Sequence, residues 1–227
     1  MTENISPDRF LLSGYDFHLP EHLIAQSPAE PRDASRLLVL EKKTGFIRHC
    51  RFSDFPELLG PDDLLILNET RVRPARLEGK KIPSGGRVSV LLLKELAPHS
   101  WEALVRGNPG VGQEVEFGPE IRAVVREDPG GGKRILDFLP VPGLNEKLEE
   151  RGLPPLPPYI RRAPGTEDRS RYQTVYANQA GSLAAPTAGL HFSVEVLERL
   201  RKNGTEIRKL TLHVGTGTFL PVRSEDI

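Results

Sequence analysis

The sequence predicts a mixed α/β protein, with a larger discontinuous domain carrying an inserted small antiparallel β-barrel-like domain. Two observations carry this prediction. Between about residues 72 and 140, short apolar runs are separated by turn-forming Gly, Pro, Asn and Asp clusters, the pattern of a small antiparallel barrel or sandwich. On both sides of that stretch, helical and strand patterns alternate, which is α/β character. The larger domain is thereby assigned to residues 1–70 and 145–227, and the inserted one to 71–144.

The elements follow in chain order. Pro20 to Ala25 predicts a short helix, with Pro near its first position. Leu37–Glu41 and Phe46–Cys50 read as a hairpin turning at Lys42-Lys43-Thr44-Gly45. Ser53 to Leu59 predicts a second short helix, ended by Gly60-Pro61, and Leu64–Leu67 a compact strand. Strands are then expected at Val88–Leu93, Trp101–Val105, Val115–Phe117, Ile121–Val125 and Ile135–Phe138. A helix over Asn145–Arg151 stops at Gly152, and LPPLPPYI is too proline-rich for a helix or a central strand. Ser193 caps a helix over Val194–Lys202 that Gly204 ends, and Ile207–Val214 is a strand leading into Gly215-Thr216-Gly217.

Composition narrows the function. The chain of 227 residues is 37% hydrophobic and 27% charged, which fits a globular protein rather than a disordered one. No apolar run approaches the ~20 residues of a membrane helix, and the polar start has no signal-peptide core. Cys50 is the single cysteine, so a disulfide within the chain is excluded and a cytoplasmic location is expected. Formal net charge is zero but unevenly spread: residues 1–63 carry −4, residues 68–87 carry +4 and residues 151–176 carry +3. The two basic stretches suit phosphates, although solvated strands and loops carry such charge equally well.

Three motifs resemble known chemistry and fail on context. His18-Leu19-Pro20-Glu21-His22 matches H-x-x-E-H, but Pro20 disfavours the continuous helix that would put both histidines on one face. No metal is implied. Leu212-His213-Val214-Gly215-Thr216-Gly217 resembles a dinucleotide loop, but Pro221 stands where the following helix should run; its glycines and threonines fit either a close backbone approach to a ligand or a plain strand-to-loop bend. Ser182, His191 and Asp168 offer triad residue types, but the serine lacks a G-x-S-x-G setting. Asn68-Glu69-Thr70-Arg71 lies just past a strand end, where α/β sites gather. Arg171-Tyr172-Gln173-Thr174 combines a cation, an aromatic ring and hydrogen-bonding groups, suited to a base and a phosphate or to an ordinary half-exposed strand.

Six segments in order, IAQSPAEPRDASRLLVL, LILNETRVRPARL, LPPYIRR, RYQTVYA, GSLAAPTAGLHF and LHVGTGTFLPV, closely resemble the S-adenosylmethionine:tRNA ribosyltransferase-isomerase family of queuosine synthesis. The resemblance runs from Tyr15 to Val222, with Glu69 where the family has Asp. Family members continue past the segment matching PVRSEDI, so the chain is expected to lack their C-terminal portion.

The resemblance implies a transferase and isomerase acting in tRNA modification. The ribosyl part of S-adenosylmethionine, a co-substrate rather than a prosthetic group, passes to 7-aminomethyl-7-deazaguanine in the anticodon loop of tRNA. Epoxyqueuosine results, and adenine and methionine leave. The alternative is a non-catalytic tRNA-binding truncated homologue. A monomer is expected, with no membrane partner. The implied site gathers Asn68, Thr70, Arg71, Arg171, Tyr172, Thr187, His191, His213, Gly215, Gly217 and Thr218 around one pocket. His191 and His213 are the acid/base candidates, because imidazole titrates near neutrality. Arg71 and Arg171 are assigned to phosphate or substrate orientation, and Tyr172 or Phe219 to the sulfonium charge.

Overall fold

The computed structural model describes residues 10–219, 222 and 224–226. The chain is mixed α/β around a closed antiparallel barrel, as its sequence predicts. The barrel strands are β5 (Arg76–Ile82), β6 (Arg87–Ala97), β7 (Ser100–Arg106), β8 (Glu114–Glu116), β9 (Arg122–Gly130) and β10 (Lys133–Phe138), closing in the order β10-β7-β6-β5-β8-β9. Burial alternates along β6 and β7, so Val88, Val90, Leu92, Trp101, Ala103 and Val105 fill the interior. Helix α1 (Leu144–Arg151) packs Leu144 and Leu148 into the same core.

Outside the barrel, sheets are small. The hairpin of β1 (Arg36–Leu40) and β2 (Ile47–Arg51) has the expected antiparallel register. β3 (Leu64–Asn68) and β4 (Thr70–Val72) form one extended run that changes partner at Glu69. β3 pairs in parallel with β12 (Glu206–Leu210), and β4 pairs in parallel with β11 (Gln179–Ser182). At the change, the Glu69 amide donates to the Leu210 carbonyl and the Glu69 carbonyl accepts from Asn178. Helix α3 (Val194–Lys202) is capped by Ser193, whose hydroxyl accepts from the Val196 amide at 3.2 Å. Its apolar side buries Val196, Leu197 and Leu200 against Phe52, Leu67, Tyr176 and Phe192.

Several local expectations are corrected. The helix expected over 20–25 is one 3-10 turn, Glu21–Leu23, and the one over 53–59 is a 3-10 helix, Phe52–Leu58, with Pro56 inside it. In an α-helix the Pro56 ring would crowd the carbonyl of Phe52, four residues earlier. The strand expected over 207–214 ends at Leu210. The Arg171–Thr174 segment is no strand: α2 (Asp168–Arg171) is a single helical turn running into it. β4, β5 and β11 were not expected from their polar sequences.

Candidate functional site

A cavity of about 250 Å³ opens among the 3-10 turn Arg32–Ala34, the proline-rich 156–160 segment, α2 and the 3-10 turn Thr187–His191. Arg171, Tyr172, Thr187 and His191 all line it. A second cavity, about 620 Å³, shares Pro157, Tyr159, Tyr172 and Thr187 with the first and adds Val214 and Thr218. Together they reach the size range of small-molecule sites.

The walls are held by fixed charges. Arg162 grips Asp168 with two bonds of 2.7 Å each, and the Gly165 amide donates to the same carboxylate at 2.7 Å. The Arg162 guanidinium, against some opposing burial, holds Asp168 below the usual carboxylate range. Arg32 donates to the carbonyls of Gln173 at 2.7 Å, Leu190 at 3.3 Å and Ser170 at 2.8 Å, stitching three cavity-lining segments together. Burial, and then the neighbouring Arg171, lower its pKa. Arg171 pairs with Glu30 at 3.0 Å and donates to the Ala29 carbonyl. The buried Tyr172 phenol is pushed up to about 12 by desolvation, the Ala185 backbone working against that shift, so it remains a neutral donor and an aromatic wall.

His191 sits half-buried with its ring tilted against Phe52 at 5.4 Å, and its Nδ1 lies 2.9 Å from the Ser35 hydroxyl. Burial lowers its pKa, favouring neutral imidazole. Gly189 is required two residues earlier: a Cβ there would fall 2.3 Å from the Tyr176 hydroxyl and 2.9 Å from Thr174.

His213 stands apart from these cavities. Its Nδ1 lies 2.8 Å from the hydroxyl of Thr70, a fully buried residue, while the imidazole itself belongs to an exposed residue. The ring rests on Gly181, where a Cβ would meet it at 2.7 Å and where φ is +154°.

The sequence of this chain carries a family signature as well as a site. A family model described as "Queuosine biosynthesis protein" matches residues 12–227. The chain belongs to that family. It is 50% identical over 218 residues to the S-adenosylmethionine:tRNA ribosyltransferase-isomerase of Halothermothrix orenii, covering 94% of this chain and 63% of that protein. The like-named protein of Symbiobacterium thermophilum is 51% identical over 222 residues, covering 95% and 63%. The chain thus spans 63% of the length of these curated relatives. A crystal structure of S-adenosylmethionine tRNA ribosyltransferase from Thermotoga maritima is 34% identical, with a TM-score of 0.37, covering 89% of this chain and 59% of that one.

Within this family member, the eleven residues assigned to one pocket divide. Arg171, Tyr172, Thr187 and His191 share the first cavity, and Thr218 joins Tyr172 and Thr187 in the second. Thr70 and His213 pair on β4 and the segment after β12. Asn68 is used for the backbone: its side-chain oxygen accepts from the Leu212 amide at 3.0 Å and its nitrogen donates to the Leu212 carbonyl at 2.9 Å. Arg71 lines a different cavity of about 220 Å³, with Arg73, Glu149 and Arg169. Gly215 and Gly217 are exposed, with open space where a Cβ would stand. The Phe219 side chain and Pro221 lie outside the described residues. A short 3-10 turn, Thr216–Phe219, begins after Gly215 and contains Gly217, so among the described residues no Rossmann-type helix opens there.

The hydrolase arrangement is absent among the described residues. Ser182 is fully buried and donates to the Ala184 carbonyl at 2.7 Å, His191 pairs with Ser35, and Asp168 with Arg162. Glu69 pairs with Lys209 at 3.3 Å. Arg32, Ser35, Tyr159 and Arg162 are cavity residues that reasoning from the sequence missed. They lie inside PRDASRL and LPPYIRR, so the family-like segments themselves were the available signal.

Proposed function

We propose that this chain binds S-adenosylmethionine in the paired cavities and serves transfer and isomerisation of its ribosyl group onto 7-aminomethyl-7-deazaguanine in tRNA. The observation that carries the reading is the convergence of Arg171, Tyr172, Thr187 and His191, from RYQTVYA and GSLAAPTAGLHF, on one cavity in a chain about 50% identical to proteins bearing that name. The chemistry asks for three things. A base must take a C5′ proton made acidic by the sulfonium, a proton donor must assist adenine departure, and aromatic faces or carbonyl oxygens must tolerate the cation. His191 suits the first, and Tyr172 with Tyr159 suits the third. His213, held by Thr70, lines neither cavity, so it serves the second only where the adenine reaches beyond them toward β4. Arg71 and the neighbouring Arg73 suit phosphates of the RNA.

The span of 63% of the relatives' length favours a second reading, binding of both substrates without turnover. One experiment separates them. The chain is incubated with S-adenosylmethionine and tRNA bearing the aminomethyl base, and adenine and methionine are quantified alongside equilibrium binding of each substrate. Release supports the enzyme, binding without release supports the second reading, and no binding of S-adenosylmethionine defeats both.

A further inference from the structure

The proton arrangement around His191 follows from its neighbours. The Ser35 hydroxyl has one proton and two polar neighbours, the Arg32 carbonyl at 2.9 Å and His191 Nδ1 at 2.9 Å. A carbonyl can only accept, and no other described donor reaches the Arg32 carbonyl. If Ser35 gave its proton to His191, the hydroxyl lone pairs would face that carbonyl in a half-buried setting, which is unfavourable. All three groups are satisfied in one arrangement only. Ser35 donates to Arg32, and His191 Nδ1–H donates to Ser35. Neutral imidazole carries one N–H, so Nε2 then holds a lone pair. Nε2 makes no hydrogen bond to any described residue, and His191 lines the cavity.

The frame that holds this chain of bonds is fixed from several sides. The Ser35 carbonyl accepts from the Phe52 amide at 2.8 Å, and the Phe52 ring packs against the imidazole. Arg51 donates to the Ala34 carbonyl at 2.8 Å. Asp33 accepts from Ser193, the cap of α3, at 3.0 Å. Arg32 reaches the carbonyl of Leu190, the residue before His191. The serine and the histidine are 156 positions apart in sequence, yet the backbone on each side is tied to the other.

We propose that Ser35 is a positioning residue: it fixes His191 as the Nδ1–H tautomer and so leaves Nε2 as a proton acceptor toward the cavity. Ser35 acts through the imidazole in this scheme. The use made of the acceptor, removal of a proton from a bound sulfonium, rests on the function proposed above. The tautomer does not.

The test reads the tautomer directly. Long-range proton–nitrogen NMR spectra of the 15N-labelled chain at mildly alkaline pH, where imidazole is neutral, report which ring nitrogen is protonated. His191→Gln assigns the signal by its disappearance. The wild type is expected to show Nδ1–H. Ser35→Ala is expected to lose that signature in favour of Nε2–H, and Ser35→Thr, which keeps a hydroxyl, to restore it. A purely structural role for Ser35 predicts no such exchange and rescue. An Nε2–H signal in the wild type overturns the proposal, as does Nδ1–H persisting in a folded Ser35→Ala chain. If Ser35→Ala does not fold, the wild type and Ser35→Thr spectra still decide, since both must show Nδ1–H. Failure of S-adenosylmethionine to bind a chain that shows Nδ1–H counts against the proposed function alone.

Discussion

The barrel and the parallel strand pairs differ in how much of each strand they cover. In the barrel every strand has two neighbours, and residues such as Leu77, Val115, Val125 and Leu136 are wholly enclosed. β3 has one neighbour, β12, and turns Leu67 toward α3 while Leu64 and Ile66 remain 53% and 56% exposed. Leu38 and Leu40 of the hairpin are similarly exposed. Closing a sheet removes its edges, whereas a two-stranded parallel sheet has little stability without cover on both faces. The difference teaches where the described residues keep stability and where they keep chemistry. The barrel encloses a core that Leu144 and Leu148 of α1, with Leu183, complete. The paired cavities are built outside it, from turns and single helical turns fastened by arginine-to-carbonyl bonds.

The sharpest way to break this contrast is to truncate one residue in each region. Trp101 is 1% exposed inside the barrel, and Trp101→Ala is expected to cost about 3–5 kcal/mol in urea unfolding. Ile66→Ala, on the open face, is expected to change stability by less than about 0.5 kcal/mol. Equal losses would show that the open face is covered in solution, and the contrast would fail.

Next in size is the Arg162–Asp168 pair, a two-bond fastening of the cavity wall. Asp168→Asn removes the charge that two guanidinium bonds serve, and a loss of about 1–3 kcal/mol is expected. The sign with pH is fixed. The folded-state pKa of Asp168 is lowered, so its stabilisation is fully present above the ordinary Asp value of about 3.9 and disappears as pH falls through the folded value. The fall of unfolding free energy with decreasing pH on the acid limb should therefore be shallower in Asp168→Asn than in the wild type.

Gly189→Ala probes the turn that presents His191. Its new methyl meets the Tyr176 hydroxyl, and overpacking of this kind costs about 1–3 kcal/mol. Tyr176→Phe removes the obstructing oxygen, so the double variant should recover part of the loss in a double-mutant cycle. Additive losses would mean that the Gly189 requirement is not this contact.

The same contrast explains what was legible in the sequence. Barrel strands announced themselves because an enclosed face enforces period two, as in Val88, Val90 and Leu92, and because Gly- and Pro-rich turns separate them. β5 did not: of R-L-E-G-K-K-I only Leu77 is enclosed, and the strand is held by pairing with β6 and β8. Site residues were legible only in part. His191 could be proposed from its chemistry, but Ser35 is an ordinary serine until the fold sets it beside the ring. Asn68 looked like a binding residue at a strand end. Its amide instead continues the β3–β12 pairing to residue 212, a use that local sequence does not encode.

The smallest expected effect concerns His191 itself, and it sharpens the division between fold and site. Burial lowers its pKa, so the folded chain holds fewer protons at this ring than the unfolded chain as pH drops below the ordinary value of about 6.5. Stability from this residue is therefore complete above that pH and declines as pH falls toward the folded value. His191→Gln, which cannot titrate, should flatten the dependence of unfolding free energy on pH in that window while leaving the barrel variants' losses unchanged at pH 8. A ligand that takes up the Nε2 lone pair by donating a proton-bearing group should be bound less tightly as the window is crossed downward, because protonation fills the acceptor. Binding of S-adenosylmethionine followed by calorimetry across the same range checks this. A pH-independent affinity, together with an unflattened stability profile in His191→Gln, would remove His191 from the site and leave it as a packing partner of Phe52.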